Sequence, residues 1–147
     1  MPRLVDLIVE TRPPAGLRPR LRSVLTSLLD ARAVASNICV ILTNDARLRD
    51  LKREHWQEDA TTDVLSFPQW EPGDPFMPPV LGDVFINLQA AARQAPRHGH
   101  DLEAEVNVLA AHGLTHLLGF DHEDDLAWQV FEAAQTEALN LLKALRG

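Results

Sequence analysis

An apolar run broken by a single acid, Leu4 to Val9, predicts a first strand that ends before the Pro13-Pro14 turn. The period then changes. Apolar residues at 21, 24, 25, 28, 29 and 33 recur every three or four positions, which predicts a helix over 17–35. Asn37 to Leu42 reads as a short buried strand, after which Thr43 or Asn44 can cap a helix over 45–54. Val64 to Phe67 predicts a third strand, closed by Pro68. Residues 68–80 hold five prolines and a glycine, so they form an irregular loop, most simply a long hairpin connection. Val80 to Ile86 gives a fourth strand, interrupted at Gly82-Asp83, and a helix from Asn87 to Ala95 is stopped by Pro96. Asp101 caps a helix over 102–118. The acidic trio Glu123-Asp124-Asp125 opens a last helix over 124–145, with apolar positions 127, 130, 131, 134, 138, 141, 142 and 145. The pattern holds no repeats and no glycine-rich phosphate loop. It predicts one α+β domain over 1–147, with a small, mixed, about four-stranded sheet packed by helices.

At 147 residues and 46% hydrophobic content, the chain can bury a core without staples. The single cysteine, Cys39, lies in an apolar run and is expected to be a buried thiol. The sequence has neither a signal-peptide layout nor an apolar stretch long enough to span a membrane, so a cytoplasmic setting is expected. The net charge of −7 is unevenly spread: residues 1–53 carry +5 and residues 54–147 carry −12. Arg18, Arg20 and Arg22 form one basic cluster, and Arg47, Arg49, Lys52 and Arg53 a second. Each is either the solvated face of a helix or a phosphate contact.

The chemistry concentrates in His112-Gly-Leu-Thr-His116-Leu-Leu-Gly119-Phe-Asp-His122. Residues four apart share one helix face, so the first two imidazoles can meet on one ion with nitrogen–metal bonds of about 2.0–2.1 Å. Gly119 suits a left-handed helix terminus, after which the chain can bring His122 back as a third ligand. Three nitrogen ligands leave a tetrahedral ion with one open position, as in catalytic sites. The metal site thus falls on a helix of the C-terminal half and the turn after it. His55, His98 and His100 stand apart and are expected to be solvated. The spacing also fits the zinc-protease pattern H-E-x-x-H-x-x-G-x-x-H, but position 113 is glycine instead of the general-base glutamate, which argues against peptide hydrolysis.

The His112–His122 stretch resembles the H-G-x-x-H-L-x-G-Y-D-H motif of the YbeY endoribonucleases. Thr62-Asp-Val-Leu-Ser-Phe-Pro68 is similar to that family's T-D-V-L-S-F-P block, and Leu81-Gly-Asp-Val-Phe-Ile86 to its L-G-D-I-x-I block. The resemblance covers residues 37–145. It implies a metal-dependent, single-strand-specific endoribonuclease of ribosomal RNA maturation (16S rRNA 3′-end processing) and ribosome quality control. Its partners would be single-stranded or ribosomal RNA, the ribosome and ribosome-assembly proteins, with neither DNA nor membrane. His112, His116 and His122 would hold one ion, zinc or another divalent transition metal such as nickel. Phe120 replaces the motif's tyrosine and Thr115 a common leucine. Trp56 stands where the family has an arginine, six residues before Thr62, and Arg53 lies three residues earlier.

Arg53, Ser66 and Trp56 are therefore the candidate substrate contacts. Asp121 and Arg53 are the candidates for a catalytic role. For Asp121, capping the turn or orienting a histidine is the simpler role, and for Ser66 a satisfied strand hydroxyl is simpler than a nucleophile. Two rival readings are a non-catalytic, metal-stabilised ribosome- or RNA-binding assembly factor and a metallohydrolase of a small or peptide substrate.

Overall fold

A computed structural model describes residues 5–121 and 124–147. Among them, four strands and five helices follow the order β1 (Asp6–Val9), α1 (Leu17–Ala31), β2 (Asn37–Thr43), α2 (Asp45–Trp56), β3 (Val64–Pro68), β4 (Val80–Asn87), α3 (Leu88–Gln94), α4 (Leu102–Leu117) and α5 (Asp125–Arg146). The sheet order is β1-β2-β4-β3, with β1, β2 and β4 parallel and β3 antiparallel at the edge. This is the expected α+β architecture with a mixed sheet. Leu4, His122 and Glu123, which figured in the expectations, lie outside the described residues.

One sheet face carries the core. Ile38, Val40 and Leu42 of β2 and Leu81, Val84 and Ile86 of β4 are fully buried with α1, α4 and α5 residues such as Leu25, Leu114 and Ala138. Burial of this kind stabilises by about 25 cal/mol per Å² of apolar surface. The other face is more thinly covered. Arg47 of α2 lies over the Phe85 ring at 5.5 Å, while Ile8 remains 49% exposed. Cys39 sits on this face, half-buried instead of buried, because β2 alternates its side chains and this one points away from the core. Burial, with Asp83 and Asp6 nearby, raises its thiol pKa.

Several boundaries differ from expectation for local reasons. α1 ends at Ala31 instead of 35 because Ala33 turns left-handed (φ 55°), its N–H donating to the Asp30 carbonyl and that of Val34 to the Leu29 carbonyl. That is a Schellman end, closed by the buried pair Leu29 and Val34. β4 is continuous: the Gly82-Asp83 interruption is a shift in register against β2. Gly82 is required there, since a Cβ would strike the Phe67 carbonyl. Pro96 does not break the chain out of helical geometry but tightens it into a 3₁₀ turn over Ala95–His98.

Two polar devices fix the helices. Asn87 caps α3 by accepting from the Gln89 and Ala90 N–H groups, while its amide donates to Asp45 at 2.7 Å and to the Thr62 carbonyl at 3.0 Å. Asp45 also receives both Arg93 terminal nitrogens, so its carboxyl pKa drops to about 2. The segment leading into β3 is thereby tied to α2 and α3. Arg20 makes a two-pronged bond to Glu103 at 2.6 and 2.9 Å, and Arg146 reaches Asp101 at 2.7 Å. These pairs join α1 and α5 to the first turn of α4. Among the described residues no helix is long and apolar enough to cross a membrane.

Candidate functional site

α4 starts where the sequence predicts, with Asp101 accepting from the Ala104 N–H at 2.9 Å. Its far end is a second Schellman terminus. The Gly119 N–H donates to the His116 carbonyl and the Phe120 N–H to the Thr115 carbonyl, with Gly119 at φ 94°. Glycine is required here twice over, because a Cβ would also strike the Pro72 ring from the 68–80 loop.

This terminus does more than stop the helix. It places the Phe120 carbonyl 3.1 Å from His116 Nδ1. A carbonyl only accepts, so Nδ1 carries the proton and the lone pair of the neutral ring falls on Nε2. His112 lies one turn earlier, its ring centroid 4.9 Å from that of His116. Both rings rest on fully buried Phe131 of α5, with centroids 4.8 Å away in each case. Gln135, one turn along α5 from Phe131, brings its side-chain amide 3.1 Å from His112 Nδ1. An amide nitrogen there donates to Nδ1, whereas after a half-turn the amide oxygen accepts from Nδ1–H and puts the lone pair on Nε2.

The two histidines open into a cleft of about 440 Å³ lined also by Trp56, Val64, Leu65, Ser66, Pro68 and Asp121. Besides the histidines, the sequence singled out Trp56, Ser66, Asp121 and Arg53, and the first three meet here. Ser66 Oγ donates to the Gly113 carbonyl at 3.2 Å, so the hydroxyl fastens the edge strand to α4. Arg53 is not among the cleft residues. It lines a neighbouring concavity of about 630 Å³ with Arg49 and Asp50, and shares Asp59 with Arg49. Those guanidiniums hold the Asp59 carboxyl well below the usual carboxylate range.

Gly113 explains why the protease glutamate is missing. A Cβ there would lie 2.5 Å from Val84 Cγ1 and 3.1 Å from Ser66 Oγ, so α4 rests directly on β3 and β4 with no room for a side chain. The histidines fit a metal through the tautomer that the Phe120 carbonyl imposes and through their common helix face. Among the described residues no three metal-ligating groups converge, and the third expected ligand, His122, lies outside them.

Sequence reasoning did not single out Gln135 or Phe131 as parts of the site. The available signal was their i, i+4 spacing at the edge of the α5 apolar stripe, which marks one helix face but not what it meets. His55 is exposed, as expected, and its ring also meets those of Trp56 and Phe67. The exposed His98 pairs its Nδ1 with the buried Glu105 carboxylate at 2.9 Å.

Comparison with known proteins agrees with the fold and identifies relatives of the chain. A family model described as Endoribonuclease YbeY matches residues 13–143. Endoribonuclease YbeY of Thermus thermophilus is 54% identical over 139 residues, covering 94% of this chain and 100% of that protein. The Endoribonuclease YbeY of Deinococcus radiodurans is 50% identical over 156 residues, covering 96% and 99%. The solution structure of TM1509 from Thermotoga maritima shares the fold at a TM-score of 0.70 and 20% identity, covering 96% of this chain and 93% of that one. With a family model spanning nearly its whole length and relatives half identical to it end to end, the chain belongs to the YbeY endoribonuclease family.

Proposed function

We infer that the protein is an endoribonuclease, a hydrolase of RNA phosphodiester bonds, and propose that it acts on single-stranded RNA with a metal ion. The observation that carries the metal reading is the His116 Nδ1 contact to the Phe120 carbonyl, which assigns the lone pair to Nε2 in a ring that lines the cleft beside His112. His112 and His116 would be ligands, joined by His122 on the spacing of the motif. Imidazole donors suit zinc, with nickel as the alternative. When bound, such an ion polarises a phosphoryl oxygen and lowers the pKa of a water.

The chain's own residues supply the remaining functions. Asp121 is the carboxylate among the cleft-lining residues and would accept a proton. Gln135, with its amide turned so that the oxygen faces Nδ1, would hold the His112 ring in the tautomer that a ligand at Nε2 requires. Ser66 is committed to Gly113 and acts by fixing the wall along which a substrate strand runs. Arg53 is paired through Nε with Asp59, which would compete with a phosphate for it. Processing of 16S rRNA 3′ ends and ribosome quality control in the cytoplasm, with ribosomal and assembly-protein partners, complete the proposal.

The test is cleavage of a labelled single-stranded RNA by zinc-loaded protein beside His116→Ala and a chelator-treated sample, at low salt because phosphate contacts weaken as salt rises. Cleavage by the loaded protein that disappears in both controls is expected. RNA binding without cleavage in any sample would replace this reading with the assembly-factor one, and chelator-sensitive turnover of peptides would replace it with the peptidase one.

A further inference from the structure

Trp56 is the last residue of α2 and is 44% exposed, yet it is braced from behind. Its ring lies 5.7 Å from Phe67 and 6.0 Å from His55. His55 in turn lies 4.9 Å from Phe67, and Phe67 meets Phe85 edge-to-face at 5.6 Å. Phe67 and Phe85 are diagonal neighbours on one face of the sheet, because Leu65 is the residue directly opposite Phe85. The Arg47 guanidinium closes the row over Phe85. The row therefore runs across the thinly covered sheet face and ends in an indole on the cleft that holds His112 and His116.

The turn after Trp56 is also fixed. Gln57 adopts φ 53° with its N–H on the Lys52 carbonyl, Lys52 pairs with Glu58 at 2.7 Å, and Asp59 is held by two arginines. A large aromatic side chain left open at a hydrolytic cleft and locked in place has little conformational freedom left to lose on binding. Packing accounts for the braced side of the ring, and the residue also lines the cleft.

We propose that Trp56, backed by His55 and Phe67, is a stacking site for one unpaired nucleobase of the RNA strand that enters the histidine cleft. This rests on the endoribonuclease reading above and adds to it a physical source of single-strand preference. A base in a duplex already has its faces covered, while an unpaired base presents a free face to the indole. Stacking tolerates any base identity, so the site selects for accessibility before sequence.

The experiment uses a single-stranded oligoribonucleotide carrying one 2-aminopurine, its abasic counterpart and its duplex, each titrated against wild type, Trp56→Ala, Trp56→Phe and the surface control Phe76→Ala. Phe76 is 85% exposed and outside the cleft lining. Wild type should quench 2-aminopurine emission and bind the intact strand roughly 10-fold more tightly than the abasic one, within the range of one base–aromatic stack. Trp56→Ala should lose that difference, Trp56→Phe should keep most of it, and Phe76→Ala should match wild type.

Cleavage assays on the same samples separate the two readings. If wild type cleaves and Trp56→Ala retains both its KM and the full abasic penalty, the stacking site is wrong and the nuclease reading stands. If wild type neither binds nor cleaves single-stranded RNA, the nuclease reading fails and the stacking site with it. A loss in Trp56→Phe as large as in Trp56→Ala would also overturn the proposal, since a phenyl ring retains the stacking face.

Discussion

His112 and His116 occupy equivalent helical positions, yet different chemistry sets their protons. The carbonyl facing His116 can only accept, so its tautomer is settled by backbone that the Gly119 terminus holds in place. His112 answers to a side-chain amide that can present either end. Replacing that amide should therefore be felt at the metal and not in the fold. Gln135→Leu is expected to weaken zinc affinity about 10- to 100-fold, the usual effect of removing a group that orients a ligand. Competition with a fluorescent zinc chelator measures this, and a melting temperature of the metal-free protein close to wild type would confirm that packing is intact. An unchanged zinc affinity would remove Gln135 from the site.

At the scale of elements, the joint between α2, α3 and the start of β3 depends on the ionised Asp45. Its carboxyl has a pKa of about 2, below the roughly 3.9 of an unfolded chain, with the hydrogen bond from Arg93 as the main cause and that from Asn87 next. A depressed carboxyl contributes stability that is complete above the unfolded value and is lost as pH falls through the folded one. The pair is partly exposed, so solvent screening limits the contribution to about 1 kcal/mol. Wild type should therefore be more stable than Asp45→Asn by about that amount at neutral pH. The gap should close between about pH 4 and pH 2, as read from urea midpoints at each pH. Elements of this kind were largely legible in the sequence: strands from β-branched runs, α4 from Asp101 and Gly119, and α5 from its apolar stripe. What escaped was decided by distant partners. Ala33 ends α1 early because Val34 finds the core, and no local signal distinguishes that alanine from one inside the helix. The paired histidines were visible as type and spacing, Asp121 as the carboxylate next to them, and Trp56 and Ser66 only through the family resemblance. Gln135 was not, because its role exists only where α5 crosses α4.

For the whole molecule, the uneven charge of the sequence turns out to be largely balanced in space. Of the two basic clusters, Arg20 is joined to Glu103, Arg47 to Glu10, Arg49 and Arg53 to Asp59, and Lys52 to Glu58. RNA that reaches these groups must displace carboxylates, so few counterions are released on binding. The slope of log affinity against log salt should then be shallower than about −2, where each phosphate neutralised on a single strand contributes about −0.7. Binding titrations across a salt series measure it, and a steep slope would mean that the ion pairs open to the substrate. The layered build has one more consequence, at Gly113. Gly113→Glu would write the full zinc-protease motif into the sequence, but the side chain would have to enter the seam where α4 touches Val84. The expected outcome is a loss of several kcal/mol and of the native near-ultraviolet circular dichroism, without any peptidase activity, because overpacking and a buried carboxylate act together. A lineage with this scaffold cannot reach peptide chemistry by point mutation at that position. It would first have to lift the helix from the sheet, and with it the two histidines, so the distance between layers itself bars the second chemistry.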